Sequence, residues 1–162
     1  MFVPKMDKGL LIGIGNAAMG DDGLGWALAD AIKEFLPNNL HTEYRYQLQV
    51  EDAMMVSDYD MVIFADASEE DLPGGFAFTP CYPAAHYFFS SHQQSPETIL
   101  YLGEQLYQKK PTSFLLAISG YTWELGEELS PQAKVNLESA VQYLQSIDFQ
   151  ILTTDQTPIS KT

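Results

Sequence analysis

A short apolar run near the start of the chain limits the folds that are open to it. Residues 9–15 read Gly-Leu-Leu-Ile-Gly-Ile-Gly, with no polar position on either face of a strand. Such a strand is typical of the centre of a parallel sheet, where helices cover both faces. After the glycine turn, apolar positions recur at helical spacing from about Asp22 and stop at Pro37. This strand–loop–helix unit predicts an α/β fold.

The same alternation continues along the chain. Further strands are predicted at residues 40–49, 60–67, 76–79 and 113–119. Further helices are predicted at residues 51–57, at 96–108 and after the Ser130-Pro131 start signal. The strand at 76–79 is expected at the sheet edge, because prolines follow it. The pattern predicts a three-layer α/β/α sandwich with a mainly parallel central sheet, phosphorylase/hydrolase-like, whose ligands bind outside the carboxyl ends of the strands.

The length of 162 residues fits one domain, residues 1–162, with a single core. The last helix is expected to bury Val135, Leu144 and either Leu137 or Val141. Residues 148–162 are expected to form an edge segment or a flexible tail.

Charge and cysteine content exclude several classes of protein. Eight Lys and Arg against 22 Asp and Glu give a net charge of −14. Nucleic acid is therefore not expected as a partner, because phosphate binding needs clustered cations, and anionic membranes are equally unfavourable. The apolar run after Lys8 is too short for a signal peptide or a membrane span. The single cysteine, Cys81, permits no internal disulfide and fits the cytoplasm. We expect its thiol to be buried and inert.

The loop after the first strand admits three interpretations. As Gly13-x-Gly15-x-x-Ala18, it fits the loose fingerprint of a nucleotide-binding oxidoreductase, although the carboxylates of Asp21 and Asp22 would oppose a pyrophosphate. Alternatively, the glycines serve a tight turn and the aspartates cap the helix. In the third interpretation, Asp22 is a cation ligand.

The third interpretation gains from two residues expected at the same rim of the sheet. Asp66 ends a buried strand, and His92 lies in a loop shortly before the next helix. Two carboxylates and an imidazole suit a divalent ion such as nickel, zinc or manganese, and do not suit copper(I). Their spacing alone does not establish that they converge. His86 is expected to pack with the aromatic residues that follow it, with a supporting role beside His92 as the alternative, and His41 is expected to have no role. Trp26 and Trp123 are expected to pack, with an aromatic rim around a peptide groove as the alternative.

These motifs together resemble those of the hydrogenase maturation endopeptidases of nickel-iron hydrogenases, over most of the chain. The glycine loop corresponds to Gly13-x-Gly15-Asn16 followed by Asp21-Asp22, and the strand end corresponds to Asp66-Ala67. The matching histidine motif is Ser90-Ser91-His92-Gln93, and a late motif runs from Gly126 to Ser130-Pro131. Several members carry a glycine pair after the second strand, which residues 47–53 lack.

The resemblance implies a peptidase that removes a C-terminal extension from a hydrogenase large-subunit precursor after nickel insertion. Nickel in the precursor would be the recognition signal, bound by Asp22, Asp66 and His92, so the metal would arrive with the substrate. As a Lewis acid it would polarise the scissile carbonyl or activate water. We expect a cytoplasmic monomer. The alternatives are a nucleotide-binding oxidoreductase and a non-catalytic binding domain.

Overall fold

The structure, a computed structural model, describes residues 6–85 and 94–154, without the side chains of residues 151, 153 and 154. The strands are β1 (Gly9–Ile14), β2 (Leu40–Arg45), β3 (Met61–Ser68), β4 (Phe76–Pro80) and β5 (Thr112–Ser119). The helices are α1 (Leu24–Ile32), α2 (Asp52–Val56), α3 (Pro96–Tyr107), α4 (Pro131–Ser146) and α5 (Phe149–Thr154). A 3-10 turn, Gly20–Gly23, precedes α1.

The five strands form one sheet in the order β2-β1-β3-β5-β4. Strands β2, β1, β3 and β5 are parallel to one another, and β4 runs antiparallel to β5 at the edge of the sheet. The predicted mainly parallel α/β fold is therefore confirmed. Strand β2 ends at Arg45, earlier than predicted, because its partner β1 ends at Ile14 and turns away at Gly15.

Helices cover both faces of the sheet, and alternate residues of the central strands point to the two layers. Leu11 and Ile63 belong to one apolar cluster, which includes side chains of α1, α4 and α5. Ile12 and Phe64 belong to the other, which includes side chains of α2 and α3. All six residues of β1 are buried, which explains its apolar composition.

The buried face of α4 differs from the prediction at one position. Val135 is 55% exposed, so its assignment to the core is wrong. The buried positions are Ala133, Asn136, Ala140 and Leu144, and Leu137 and Val141 are partly buried against them. Two residues beyond Ala133 the helix has rotated by about 200°, which turns Val135 to solvent.

The end of the chain carries the short helix α5, whose Phe149 and Leu152 pack into the core. Residues 155–162 lie outside the described part of the chain. Among the described helices, none combines the length and the apolar composition that crossing a membrane requires.

Candidate functional site

The glycines after β1 serve a tight turn and close packing. Gly15 has a φ of 133°, and a Cβ there would collide with the carbonyl of Asp22. A Cβ on Gly13 would lie 2.6 Å from the carbonyl oxygen of Gly25, so these glycines let α1 approach β1. The Asn16 amide donates to Asp22 Oδ2 at 2.8 Å. An amide that would face a pyrophosphate in a nucleotide site is thus already paired with a carboxylate, which disfavours the nucleotide interpretation.

The carboxyl ends of β1 and β3 bring Asp22 and Asp66 to one cleft of about 540 Å³. Asp22 lies in the 3-10 turn after β1, and Asp66 lies near the end of β3. The residues that line the cleft include Asn16, Asp22, Tyr46, Gln47, Asp66 and Trp123. The predicted convergence of the two carboxylates is therefore present in the fold, at the rim where parallel α/β sheets bind ligands.

The Asp66 carboxyl holds its proton unusually tightly. Burial, together with the negative charge of Asp22, raises its pKa from 3.8 to about 7, against the opposing effect of a hydrogen bond from the Ala67 amide. That bond measures 2.8 Å to Oδ1. Two carboxylates that repel each other across a partly buried cleft favour either a shared proton or a bound cation. A raised carboxylate pKa in a cleft is also common in functional sites.

The neighbouring Asp21 has the opposite environment. It is fully buried. Its Oδ2 accepts hydrogen bonds from the amides of Tyr121 and Thr122 at 2.7 and 3.1 Å. Ser130 donates its amide to Oδ1 and its hydroxyl to Oδ2, each at 2.7 Å. Burial raises the pKa of Asp21, but these hydrogen bonds outweigh it, so the pKa lies below 3.8.

Asp21 therefore joins the 3-10 turn to the segment between β5 and α4. Both segments contribute to the cleft, the first through Asp22 and the second through Trp123. Neither Asp21 nor Asp22 makes a side-chain capping bond at the start of the 3-10 turn or of α1, which disfavours the interpretation that these aspartates cap the helix. Ser130 instead caps α4, where its hydroxyl accepts from the Ala133 amide.

A second wall of the cleft follows β2. Arg45 donates from Nε to Oδ1 of the buried Asp52 at 3.0 Å, and the Gln49 amide donates to Oδ2 at 2.9 Å. The Arg45 carbonyl accepts from the indole N–H of Trp26 at 3.0 Å. The Tyr46 ring stacks on that indole, with centroids 5.2 Å apart. The packing expected of Trp26 is thus present.

His92 and His86 lie outside the described residues. The chain is next described at Gln94, whose amide donates to the carbonyl of Leu48 at 3.1 Å, directly after cleft residue Gln47. Within residues 6–85 and 94–154, no three His, Cys, Asp or Glu side chains form a metal-binding group. His92 as a third ligand remains a prediction.

Cys81 and His41 do not line the cleft. Cys81 is buried, and burial together with the nearby Glu97 raises the pKa of its thiol to about 12. At that pKa the thiol is an inert apolar group at neutral pH. His41 of β2 packs edge-on against Tyr59.

Sequence reasoning did not identify two contributors to the site. One is the anchor between Asp21 and Ser130, for which the late motif ending in Ser130-Pro131 was the available signal. The other is Tyr46, which no motif indicated, because its place in the wall of the cleft depends on its stacking against Trp26 of α1.

Comparison with known proteins places this geometry in a recognisable fold. No protein-family model and no curated protein sequence matches the chain. Among solved structures, the chain is similar to the [NiFe] hydrogenase maturation protease HycI from Thermococcus kodakarensis KOD1, at 19% identity and a TM-score of 0.68, over 86% of this chain and 91% of that chain. The hydrogenase maturating endopeptidase HybD from E. coli is similar at 19% identity and a TM-score of 0.67, over 85% and 89%.

A hydrogenase 2 maturation peptidase from a Thaumarchaeota archaeon matches at 21% identity and a TM-score of 0.60, over 85% of this chain and 95% of that chain. The fold is thus shared over nearly the whole length of these proteases. It is the fold that the resemblance in sequence motifs implied.

Proposed function

We propose that the chain is an endopeptidase that removes the C-terminal extension of a nickel-iron hydrogenase large-subunit precursor, as a cytoplasmic monomer. The observation that carries the proposal is the meeting of Asp22 and Asp66 in one cleft at the carboxyl rim of the sheet. The shared fold with maturation proteases and the motif resemblance support the same reaction. Nickel belongs to the substrate in this proposal.

The donor set suits such a substrate-borne ion. The carboxylates of Asp22 and Asp66 carry charge that no cation among the described residues pairs with by a salt bridge. A divalent ion would offset the burial and the repulsion by Asp22, which together raise the Asp66 pKa. His92 would be the third ligand. It precedes Gln94 by two residues, and two residues of extended chain span at most about 7 Å. A bound ion would act as Lewis acid on the scissile carbonyl or on water.

The first prediction concerns the origin of the metal. Because the proposed site has three hard or borderline ligands and no thiolate, we expect the isolated protein to bind divalent ions weakly. Cleavage should then require nickel in the precursor. The measurement compares cleavage of nickel-loaded and nickel-free precursor by gel shift, after the metal content of the purified protein has been determined. A resident zinc peptidase would instead purify with stoichiometric metal and lose activity on chelation. Equal cleavage of both precursors would reject nickel as the recognition signal.

The second prediction concerns the ligands. Asp22→Asn and His92→Ala are each expected to abolish cleavage of the nickel-loaded precursor, because a neutral amide or a methyl group replaces a metal ligand. The melting temperature should change by less than about 3 °C, since rim residues outside a core contribute little to stability. Glu69→Gln, which changes another acid of the same cleft, is the matched control and should retain cleavage. Cleavage by both ligand variants at the wild-type rate would remove these residues from the site.

The competing classes make different predictions. A nucleotide-binding oxidoreductase would show saturable binding of a dinucleotide in a fluorescence titration, and we expect none. A non-catalytic binding domain would bind precursor without changing its length.

A further inference from the structure

We propose that Tyr46 is a specificity-determining residue of the proposed reaction, and that its ring receives an apolar side chain of the precursor two residues from the scissile bond. The inference rests on the proposed function and adds a substrate contact to the same cleft. Tyr46 is 67% exposed, although it is a large aromatic residue. A single exposed ring is ordinary on a protein surface. The position and the support of this ring set it apart.

The ring is held in place before any ligand arrives. It stacks on Trp26 with an interplanar angle of 28°, and the Trp26 indole is bonded to the Arg45 carbonyl. The Arg45 guanidinium is bonded in turn to Asp52, which also accepts from the Gln49 amide. The loop that carries Tyr46 is therefore tied down on both sides of the ring. A rigid aromatic side chain loses little conformational entropy on binding.

The order of the strands places the ring on one side of the carboxylates. Tyr46 follows β2, Asp22 follows β1, Asp66 lies at the end of β3, and Trp123 follows β5. Since the sheet order is β2-β1-β3-β5, the two aromatic residues flank the carboxylates across the strand ends. A peptide that crosses the strand ends over the carboxylates passes one aromatic side chain on each side.

The spacing sets the position of the contact along the peptide. Neighbouring strands lie about 4.8 Å apart, so β2 is about 7 Å from the midpoint between β1 and β3. An extended peptide advances about 3.3 Å per residue. The side chain that meets Tyr46 is thus about two residues from the bond held over the carboxylates.

The surroundings of the ring favour an apolar side chain. The charge of Arg45 is matched by Asp52 and Glu43, and the next residue, Gln47, is uncharged. The acids that line the cleft are Asp22, which follows β1, and Asp66 and Glu69, which lie near the end of β3 and directly after it. The free face of Tyr46 therefore offers apolar contact area, and among the described residues no unpaired charge beside the ring would attract a charged side chain of the precursor.

The experiment measures kcat and KM for cleavage of nickel-loaded precursor. For Tyr46→Ala we expect KM to rise about tenfold with kcat within about twofold, because a contact shared by ground state and transition state is lost. Tyr46→Phe should restore the wild-type KM. Phe35→Ala is the matched control, since Phe35 is 63% exposed and lies beyond the other end of α1. Circular dichroism and melting curves establish that each variant is folded.

Precursor variants test the position and the chemistry. The residues two before and two after the scissile bond are changed in turn to Gly, Leu and Lys. One of these positions should show a Gly penalty of about tenfold in KM with wild-type enzyme and none with Tyr46→Ala. That coupling corresponds to about 1.4 kcal/mol. Leu at the same position should restore KM, and Lys should not.

The failures are distinguishable. If the wild-type enzyme does not cleave the precursor, the proposed function is wrong and the role of Tyr46 falls with it. If wild-type cleavage is normal, an unchanged KM for Tyr46→Ala, additive Gly penalties, or rescue by Lys rather than Leu overturns the role of Tyr46 alone.

Discussion

Replacement of Asp21 by alanine is expected to lower the free energy of unfolding by about 3 to 5 kcal/mol. The side chain is fully buried and accepts four hydrogen bonds from Tyr121, Thr122 and Ser130. Its removal leaves three backbone amides and one hydroxyl without their acceptor in the interior. Asp21→Asn should also be strongly destabilising, because an amide nitrogen in place of Oδ2 would face three donors. Urea denaturation at pH 7 measures the loss.

The adjacent Asp22 provides the control. Its side chain accepts one described hydrogen bond, from the Asn16 amide, and its charge repels that of Asp66. Asp22→Ala should therefore change stability by less than about 1 kcal/mol. If the two alanine variants were equally stable, the anchor assigned to Asp21 would not exist.

The pH dependence of the Asp21 effect has a defined sign. Its pKa in the folded state lies below 3.8, so its contribution to stability is present above pH 3.8 and is lost as the pH falls through the folded pKa. The difference between wild type and Asp21→Ala should accordingly narrow below about pH 4. A difference that is constant down to pH 2.5 would contradict the lowered pKa.

Replacement of Asp66 by asparagine is expected to stabilise the metal-free protein at pH 8, while it abolishes cleavage. Burial and the charge of Asp22 raise the Asp66 pKa from 3.8 to about 7. The free energy of unfolding therefore falls as the pH rises from about 4 to 7, because the folded protein binds the Asp66 proton more tightly than the unfolded chain does. The pKa change corresponds to at most about 4 kcal/mol. Since solvent reaches part of the side chain, we expect a gain of about 2 kcal/mol.

Asparagine retains an oxygen for the Ala67 amide, so the substitution removes the charge and keeps the hydrogen bond. The gain should shrink as the pH falls towards 4, where Asp66 is protonated in the folded state. Urea denaturation at pH 4, 6 and 8 in the presence of a chelator gives the profile. Glu69→Gln is the control, because Glu69 is exposed and its removal should be nearly neutral. A destabilised Asp66→Asn at pH 8 would mean that the carboxylate stabilises the fold.

The two predictions have opposite signs although both residues are aspartates near the same rim. Hydrogen bonds from a loop compensate the burial of Asp21, which makes it a structural residue. Asp66 accepts a single described bond and faces another carboxylate, which makes it costly to the fold. Proteins commonly retain such a cost where a site requires it.

The layered α/β fold followed from sequence alone because its signals are local. The apolar run of β1, the helical spacing after Asp22 and the Ser130-Pro131 start of α4 each act over a few residues, and the structure contains all three elements. Asp66 could be placed at the rim because a buried strand that ends in a carboxylate must present it where the strand ends. The motif resemblance connected these local signals to a class of reaction.

Other features required the tertiary structure because they depend on residues far apart in the chain. The sequence pointed to Asp22 as a candidate ligand, but it did not identify Asp21 as an anchor of the fold, since both are acids at the start of a helix. The difference arises from Ser130, which is 109 positions away and donates to Asp21 alone. Val135 was misassigned for a related reason, because the packing partners of α4 select which of its apolar residues are buried. The position of the Tyr46 ring could be assigned only from the structure, because it depends on stacking against Trp26. Residue types and local spacing thus determined the elements and the candidate ligands, whereas contacts between distant segments made Asp21 an anchor of the fold and brought Asp22 and Asp66 to one cleft.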